Sequence, residues 1–191
     1  MILPILKYGH PVLRQKGAKV DRPTKEILTL VENMKETMRS AKGIGLAAQQ
    51  VGAALQLAII DVRGIDDRPS TLYIGGSEVT PSDHMPMVLI NPQVVPIGEP
   101  VAAGEGCLSF PEIYSEITRA QSVEVKATNE KGDKVQFRCG GLLARAIQHE
   151  VDHLNGILFI DRMGNLQKKE FKEELDELQA ATKAALEAAH R

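Results

Sequence analysis

The sequence predicts an α+β fold: mostly antiparallel strands packed around a central helix bearing a His-Glu-x-x-His (HExxH) pattern, with one helix toward each end. Three observations predict it. Apolar residues recur at helical spacing in three separate stretches. Residues 87–137 fall into short β-prone runs divided by Asn-Pro, Pro-Ile-Gly and Lys-Gly-Asp punctuation. The resulting order of helix, strands, helix and helix is that of an α+β chain with a mostly antiparallel sheet.

Each element has its own signal. Over residues 24–42, Ile27, Leu30, Val31, Met34 and Met38 share one helical face, with Asp21 and Thr24 as candidate caps and Gly43 as the stop. The small, glycine-rich run GIGLAAQQVG (43–52) reads, by itself, as a tight turn. LQLAIID (55–61) has the character of a buried strand, and residues 63–86 carry a loop-like density of Gly, Pro, Asp and Ser. MVLI, PQVVPI, SVEVKAT and KVQFR are the β-prone runs, and Gly141 to Leu154 returns to helical spacing. Residues 166–190 form a last helix candidate, striped by Phe171, Leu175, Leu178, Thr182 and Ala185. The predicted organisation is a single catalytic domain over 1–165, with 166–191 as a helical extension packed on it or projecting from it.

Composition excludes several function classes. The chain has 191 residues, 43% apolar and 25% charged, which suits one globular domain. A net charge of −2 removes the electrostatic footprint of a dedicated nucleic-acid binder, and 4% aromatic residues with no Trp leave little for base stacking. Two cysteines, Cys107 and Cys139, cannot supply the disulfide framework of a small secreted domain. The start, MILPILKYGH, is broken by Pro4 and Lys7 and lacks the pattern of a signal peptide. No stretch reaches the roughly 18–20 apolar residues of a membrane span. The expectation is a soluble protein of a reducing compartment.

The chemistry concentrates in IQHEVDHLNG (147–156). His149 and His153 lie four apart, so both imidazoles leave one helix face and can reach one ion. Glu150 is turned away from ligation but stays close enough to take a proton from a water polarised by that ion. Apolar Ile147, Val151 and Leu154 indicate a partly buried helix, where His and Glu need partners. Two ligands are too few for a catalytic site, which usually has three protein ligands and an open position. In the pattern HExxHxxGxxH the third is a later His, but here that position is Phe159. Glu173, as in gluzincin proteases, and Cys107, in GEGCLSF (104–110), are the remaining candidates. Glu173 sits in what reads as a solvated helix face. Cys107 lies among glycines where backbones approach closely, and its thiolate suits zinc or ferrous iron. Cys139, after a strand, reads as structural.

Three segments together, GIGLAAQQ (43–50), EGCLS (105–109) and QHEVDH (148–153), resemble the signature motifs of the peptide deformylases, in that family's order. ILKYGHPVLR and GILFIDR extend the resemblance over about residues 1–163. It implies a metal-dependent hydrolase that removes the formyl group from the N-terminal formylmethionine of new polypeptides and releases formate. Cys107, His149 and His153 would ligate the metal, with Glu150 as general base and acid. The Gln50 side-chain amide and the Leu108 backbone N–H would bind the formyl oxygen, and Gly43, Ile44, Gly45 and Gly106 would border the substrate. The implied ion is Fe²⁺, one per chain, replaceable by Zn²⁺, Ni²⁺ or Co²⁺. The implied setting is the bacterial cytosol, with N-formylmethionyl nascent peptides as substrates, transient ribosome association, and no membrane or direct nucleic-acid partner. Two positions depart from the family's common pattern: Gln49 stands where Pro or Thr is frequent, and Tyr114 where some members have a peptide-contacting Arg.

Helix geometry adds a pocket. Leu142, Arg145 and Ala146 precede His149 by seven, four and three residues, on its own face, so Leu142, Ala146 and the stem of Arg145 are placed to line a methionine pocket. The rival readings are a gluzincin-type zinc protease using Glu173 and a metal-stabilised binding module without turnover. Formate release from a formyl-Met peptide separates all three.

Overall fold

The computed structural model describes residues 1–189. Helix α1 (Lys25–Ser40) is followed by strands β1 (Gly45–Ala47), β2 (Leu57–Ile60), β3 (Ser70–Ile74), β4 (Ser77–Val79), β5 (Met87–Cys107), β6 (Phe110–Thr128) and β7 (Lys134–Gly140). Helices α2 (Gly141–Leu154), α3 (Phe159–Arg162), α4 (Asn165–Glu170) and α5 (Lys172–Ala189) complete the chain. The strands form one sheet in the order β1-β2-β5-β6-β7-β3-β4, and every pairing is antiparallel. The α+β class with an antiparallel sheet is therefore as the sequence predicts.

The first helix starts at Thr24, whose side chain accepts the Ile27 N–H; Asp21 takes no part in the cap. Its exit is tighter than a simple glycine stop. Lys42 takes the left-handed φ of 55°, and the Gly43 N–H returns to the Met38 carbonyl at 3.0 Å. Val31, Met34 and Met38 are fully buried with Leu46, Leu57 and Ile59, so the apolar face of α1 covers β1 and β2. Each such side chain contributes roughly 1.5–3 kcal/mol on burial.

Three expectations need correction. Residues 63–86 are not all loop, because they contain the β3–β4 hairpin, whose turn places Gly75 and Gly76 at φ 60° and 83°. Two successive positive φ values define the tight turn that matches strand twist, and glycine supplies them without strain. The β-prone runs of residues 87–107 are one long bent strand. Register shifts between Ile90 and Gln93, Ile97 and Pro100, and Gly106 and Cys107 absorb its prolines and glycines. Among the described residues this strand pairs beyond Ile90 only with β6, so its prolines lie in an edge strand, where proline is tolerated. The C-terminal helix is two, α4 and α5, interrupted at Phe171. Leu175 is buried and Phe171 and Leu178 partly buried against Phe110 and Phe159, whereas Ala185 is exposed. The predicted end of this helix, at residue 190, lies outside the described residues.

Helix α2 has the predicted limits. It starts at Gly141 (φ 66°), where a Cβ would collide with the Pro69 carbonyl oxygen, and the Leu142 N–H donates to that same oxygen at 3.1 Å. Leu143, Ala144 and Ile147 are completely buried on Leu72, Val123 and Val125 of the sheet. No helix among the described residues is long and apolar enough to cross a membrane.

Candidate metal centre

Three elements deliver the polar side chains. Cys107 ends β5 at the two-residue turn into β6, His149 and His153 come from one face of α2, and Gln50 follows β1 in a short 3-10 turn. One ligand atom from each of Cys107, His149 and His153 lies within 4.8 Å of the others, with Cys107 Sγ 3.3 Å from His153 Nε2. A thiolate and two imidazoles at this separation fit one divalent ion of soft or borderline character. Burial holds the His153 imidazole well below its ordinary pKa, whereas in His149 burial is overcome by hydrogen bonds to Cys107 and Glu105, which hold its pKa above the ordinary value.

A layer of charge fixes the first histidine. The Nδ1 of His149 lies 2.9 Å from Glu105 Oε2, which leaves Nε2 for the ion. Glu105 also accepts from Arg119 at 2.7 and 3.0 Å and from Arg145 at 2.8 Å, and Arg119 reaches on to Asp152 at 2.7 Å. Burial would raise the Glu105 pKa, but the hydrogen bonds from His149 and Arg119 overcome it and hold the carboxyl at about 2. Sequence reasoning gave Glu105, Arg119 and Asp152 no role. Their spacing in the chain carries no signal, because partners on different strands and a helix meet only after folding.

Glu150 is 5% exposed, and its Oε2 has no hydrogen-bond partner among the described residues. Burial pushes its carboxyl up to about 7, within range for proton transfer near neutral pH. Gln50 is held at both ends of its amide. Oε1 accepts the Ala47 N–H at 2.9 Å, and Nε2 donates to Ser109 Oγ at 3.2 Å. Its other amide hydrogen has only the sulfur of Cys107, at 3.7 Å, and so remains free for a stronger acceptor. Lys7 donates to the Leu108 carbonyl at 2.6 Å, and burial lowers its pKa against the attraction of Cys107.

A cavity of about 550 Å³ opens onto this cluster. Its wall includes every residue expected to border the substrate: Gly43, Ile44, Gly45, Gly106, Leu142, Arg145 and Ala146. Gln50, Leu108, Cys107, His149 and Glu150 also reach it. The Arg145 guanidinium is engaged by Glu105 and by the Ile117 and Val101 carbonyls at 2.7 and 2.6 Å, which ties α2 to the β5–β6 ribbon. Tyr114 is on the cavity rim, 72% exposed, with its ring against Gly106. Glu173 is exposed in the first turn of α5 and belongs to no ligand cluster among the described residues. Cys139 is buried, and its thiol is pushed up to about 12, in accord with a structural role.

Three side chains that could hold a metal ion, a buried unpaired carboxylate and the Gln50 amide donor around one cavity are the equipment of a metallohydrolase. Comparison with known proteins narrows it. The family model for polypeptide deformylase matches residues 2–169. Peptide deformylase of Methylacidiphilum infernorum is 46% identical over 93% of this chain and 93% of its own length. That of Opitutus terrae is 41% identical over 97% of each. Among solved structures, peptide deformylase from Ehrlichia chaffeensis superposes with a TM-score of 0.81 at 30% identity, covering 97% of this chain and 99% of that one. The chain belongs to the polypeptide deformylase family.

Proposed function

We propose how the residues of this site divide the work of deformylation. The chain is a peptide deformylase, a hydrolase that removes the formyl group from newly made polypeptides. The family is metal-dependent, and Cys107, His149 and His153 are the residues that would hold the ion. Such an ion supplies Lewis-acid polarisation of a water and of the formyl carbonyl. In our reading it is Fe²⁺, since one thiolate with two imidazoles suits a borderline ion, and Zn²⁺, Ni²⁺ or Co²⁺ can replace it. The α2 helix is then the metal-binding centre around which the strands are arranged.

Glu150 takes the proton of the attacking water. A C–O bond forms at the formyl carbon, and charge gathers on the formyl oxygen. Gln50 Nε2 and the Leu108 N–H receive that charge as neutral donors, which need no reorganisation during reaction. Glu150 then gives its proton to the leaving amine as the C–N bond breaks, yielding formate and a free N-terminus. Leu142, Ala146 and the stem of Arg145 form the methionine pocket, and Gly43, Ile44, Gly45 and Gly106 border the peptide backbone. Residues 1–165 form the catalytic domain. The extension from 166 is anchored through Leu175 and serves no step of the chemistry. Substrates that emerge from translation place the enzyme in the bacterial cytosol, in transient contact with ribosomes.

The observation that carries this reading is the unpaired carboxylate of Glu150 on the same cavity as Cys107 and His149. The deciding experiment is formate release from formyl-Met-Ala-Ser by anaerobically purified protein, with metal analysis of the same sample. Formate release at one iron per chain is expected. Cleavage of an internal peptide bond, or metal binding with no turnover, would refute the assignment.

A further inference from the structure

We propose that Lys7 is a positioning residue for the two formyl-oxygen donors, acting through a strap made by residues 6–8. The inference rests on the reading of Gln50 and Leu108 given above. Those residues follow β1 and β5, which are not neighbours in the sheet, so no strand ladder sets the distance between them. One side-chain bond, Gln50 Nε2 to Ser109 Oγ at 3.2 Å, links the two loops directly, and the N-terminal segment adds three more. The Leu6 N–H donates to the Gln50 carbonyl at 2.8 Å, Lys7 Nζ to the Leu108 carbonyl at 2.6 Å, and the Tyr8 N–H to the Ser109 carbonyl at 2.9 Å. Three successive residues thus grip both loops, and the Tyr8 ring stacks on Phe110 at 4.9 Å to hold the strap down.

Lys7 is the strap's one charged grip. Leu108 lies in a two-residue turn, where Cys107 pairs with Phe110 beside a register shift. A turn residue there has no ladder to fix its peptide planes. An ammonium on its carbonyl fixes the Leu108–Ser109 plane, next to the plane that carries the Leu108 N–H, with a charge-assisted bond about twice as strong as a neutral one. Lys7 has no carboxylate partner among the described residues, although it is half-buried on the cavity wall. Its ammonium is directed to the Leu108 carbonyl instead, at 2.6 Å.

The test compares Lys7→Met and Lys7→Arg in formate-release kinetics, with metal content and thermal melting measured on the same samples. Direct loss of an oxyanion donor costs on the order of 10²–10³ in kcat. Loss of a group acting through the donor should cost less, about tenfold. Lys7→Met is expected to lower kcat by about that factor, with KM within about twofold and metal content and melting unchanged. Lys7→Arg should recover most of the loss. The proposal is overturned by a normal kcat in Lys7→Met, by a rise in KM alone, by an Arg variant no better than Met, or by a loss that tracks metal content or melting. If Lys7→Met does not fold, Lys7→Gln, a neutral donor of similar length, is read by the same criteria. Gln50→Ala separates the two layers. A loss there with normal Lys7→Met overturns only the positioning role, whereas normal turnover in Gln50→Ala overturns the donor assignment and this inference with it.

Discussion

Glu150 Oε1 occupies the space in which a side chain on Gly45 would begin. A Cβ built on Gly45 overlaps that oxygen and lies 2.8 Å from Glu150 Cδ and 2.9 Å from Cγ. The carboxylate therefore rests on a bare stretch of β1, and that contact sets its rotamer. Gly45→Ala should bind metal normally and lose at least about 10² in kcat, the scale of a displaced general base. Gly43→Ala is the comparison: its Cβ crowds the Leu108 Cδ1 methyl at 2.7 Å, which can swing aside, and meets the Gly45 carbonyl oxygen and Leu108 Cγ at an ordinary 3.5 Å. Formate-release rates of the two variants check this, and equal losses would refute it.

Glu150→Gln keeps the shape of the side chain and the three ligands while removing the proton acceptor. Metal content near wild type is expected, with kcat reduced by about 10²–10⁴. Substantial turnover in this variant would overturn the mechanism.

Glu105→Gln removes the negative charge and one of the two acceptor oxygens shared by His149, Arg119 and Arg145. Breaking one partner out of a buried charge network typically costs about 3–5 kcal/mol. Loss of the support behind a ligating histidine weakens metal binding by roughly 10–100-fold. Denaturant unfolding and competition with a chelator would measure the two effects separately.

Cys107→Ala should lose tight metal binding and activity. Glu173→Ala should change stability by no more than about 0.5 kcal/mol and leave turnover intact, as for other exposed positions. Metal analysis of the two variants decides the matter, and the reverse pattern would describe a gluzincin-like protease.

Ala146→Phe would fill the cavity at the proposed methionine pocket. Formyl-Met peptides should lose more kcat/KM than formyl-Gly or formyl-Ala peptides. An equal loss on all three would place the pocket elsewhere.

What the sequence disclosed depended on how far apart the interacting residues lie. The α1 face and the whole of α2 were legible because Val31, Met34 and Met38, like His149 and His153, repeat within a single helix. The β3–β4 hairpin was missed although its signal was present, two glycines between Tyr73-Ile74 and Ser77-Glu78-Val79, because Pro, Asp and Ser around it weighed toward loop. The length of β5 was hidden by Pro92, Pro96 and Pro100, which look like breaks but lie in an edge strand. The break at Phe171 was equally hidden, since its apolar stripe continues across it. The candidate ligands Cys107, His149 and His153 and the candidate base Glu150 stood out as motifs. The charge network was not, because Glu105, Arg119 and Asp152 have no common period and acquire partners only through β5, β6 and α2.

The wide sequence separation of the site's parts bears on the order of events during synthesis. Gln50 and Cys107 are 57 residues apart, Cys107 and His153 a further 46, and β1 reaches β5 only through β2. Closing such long loops is slow, and it must precede the contacts that repay it. No fragment that ends before residue 153 holds Cys107, His149 and His153 together, so the candidate site is incomplete until synthesis has passed His153. Ion uptake is thereby made a late event that reports on finished topology: loading should follow sheet closure in refolding kinetics, and an ion already bound should slow unfolding.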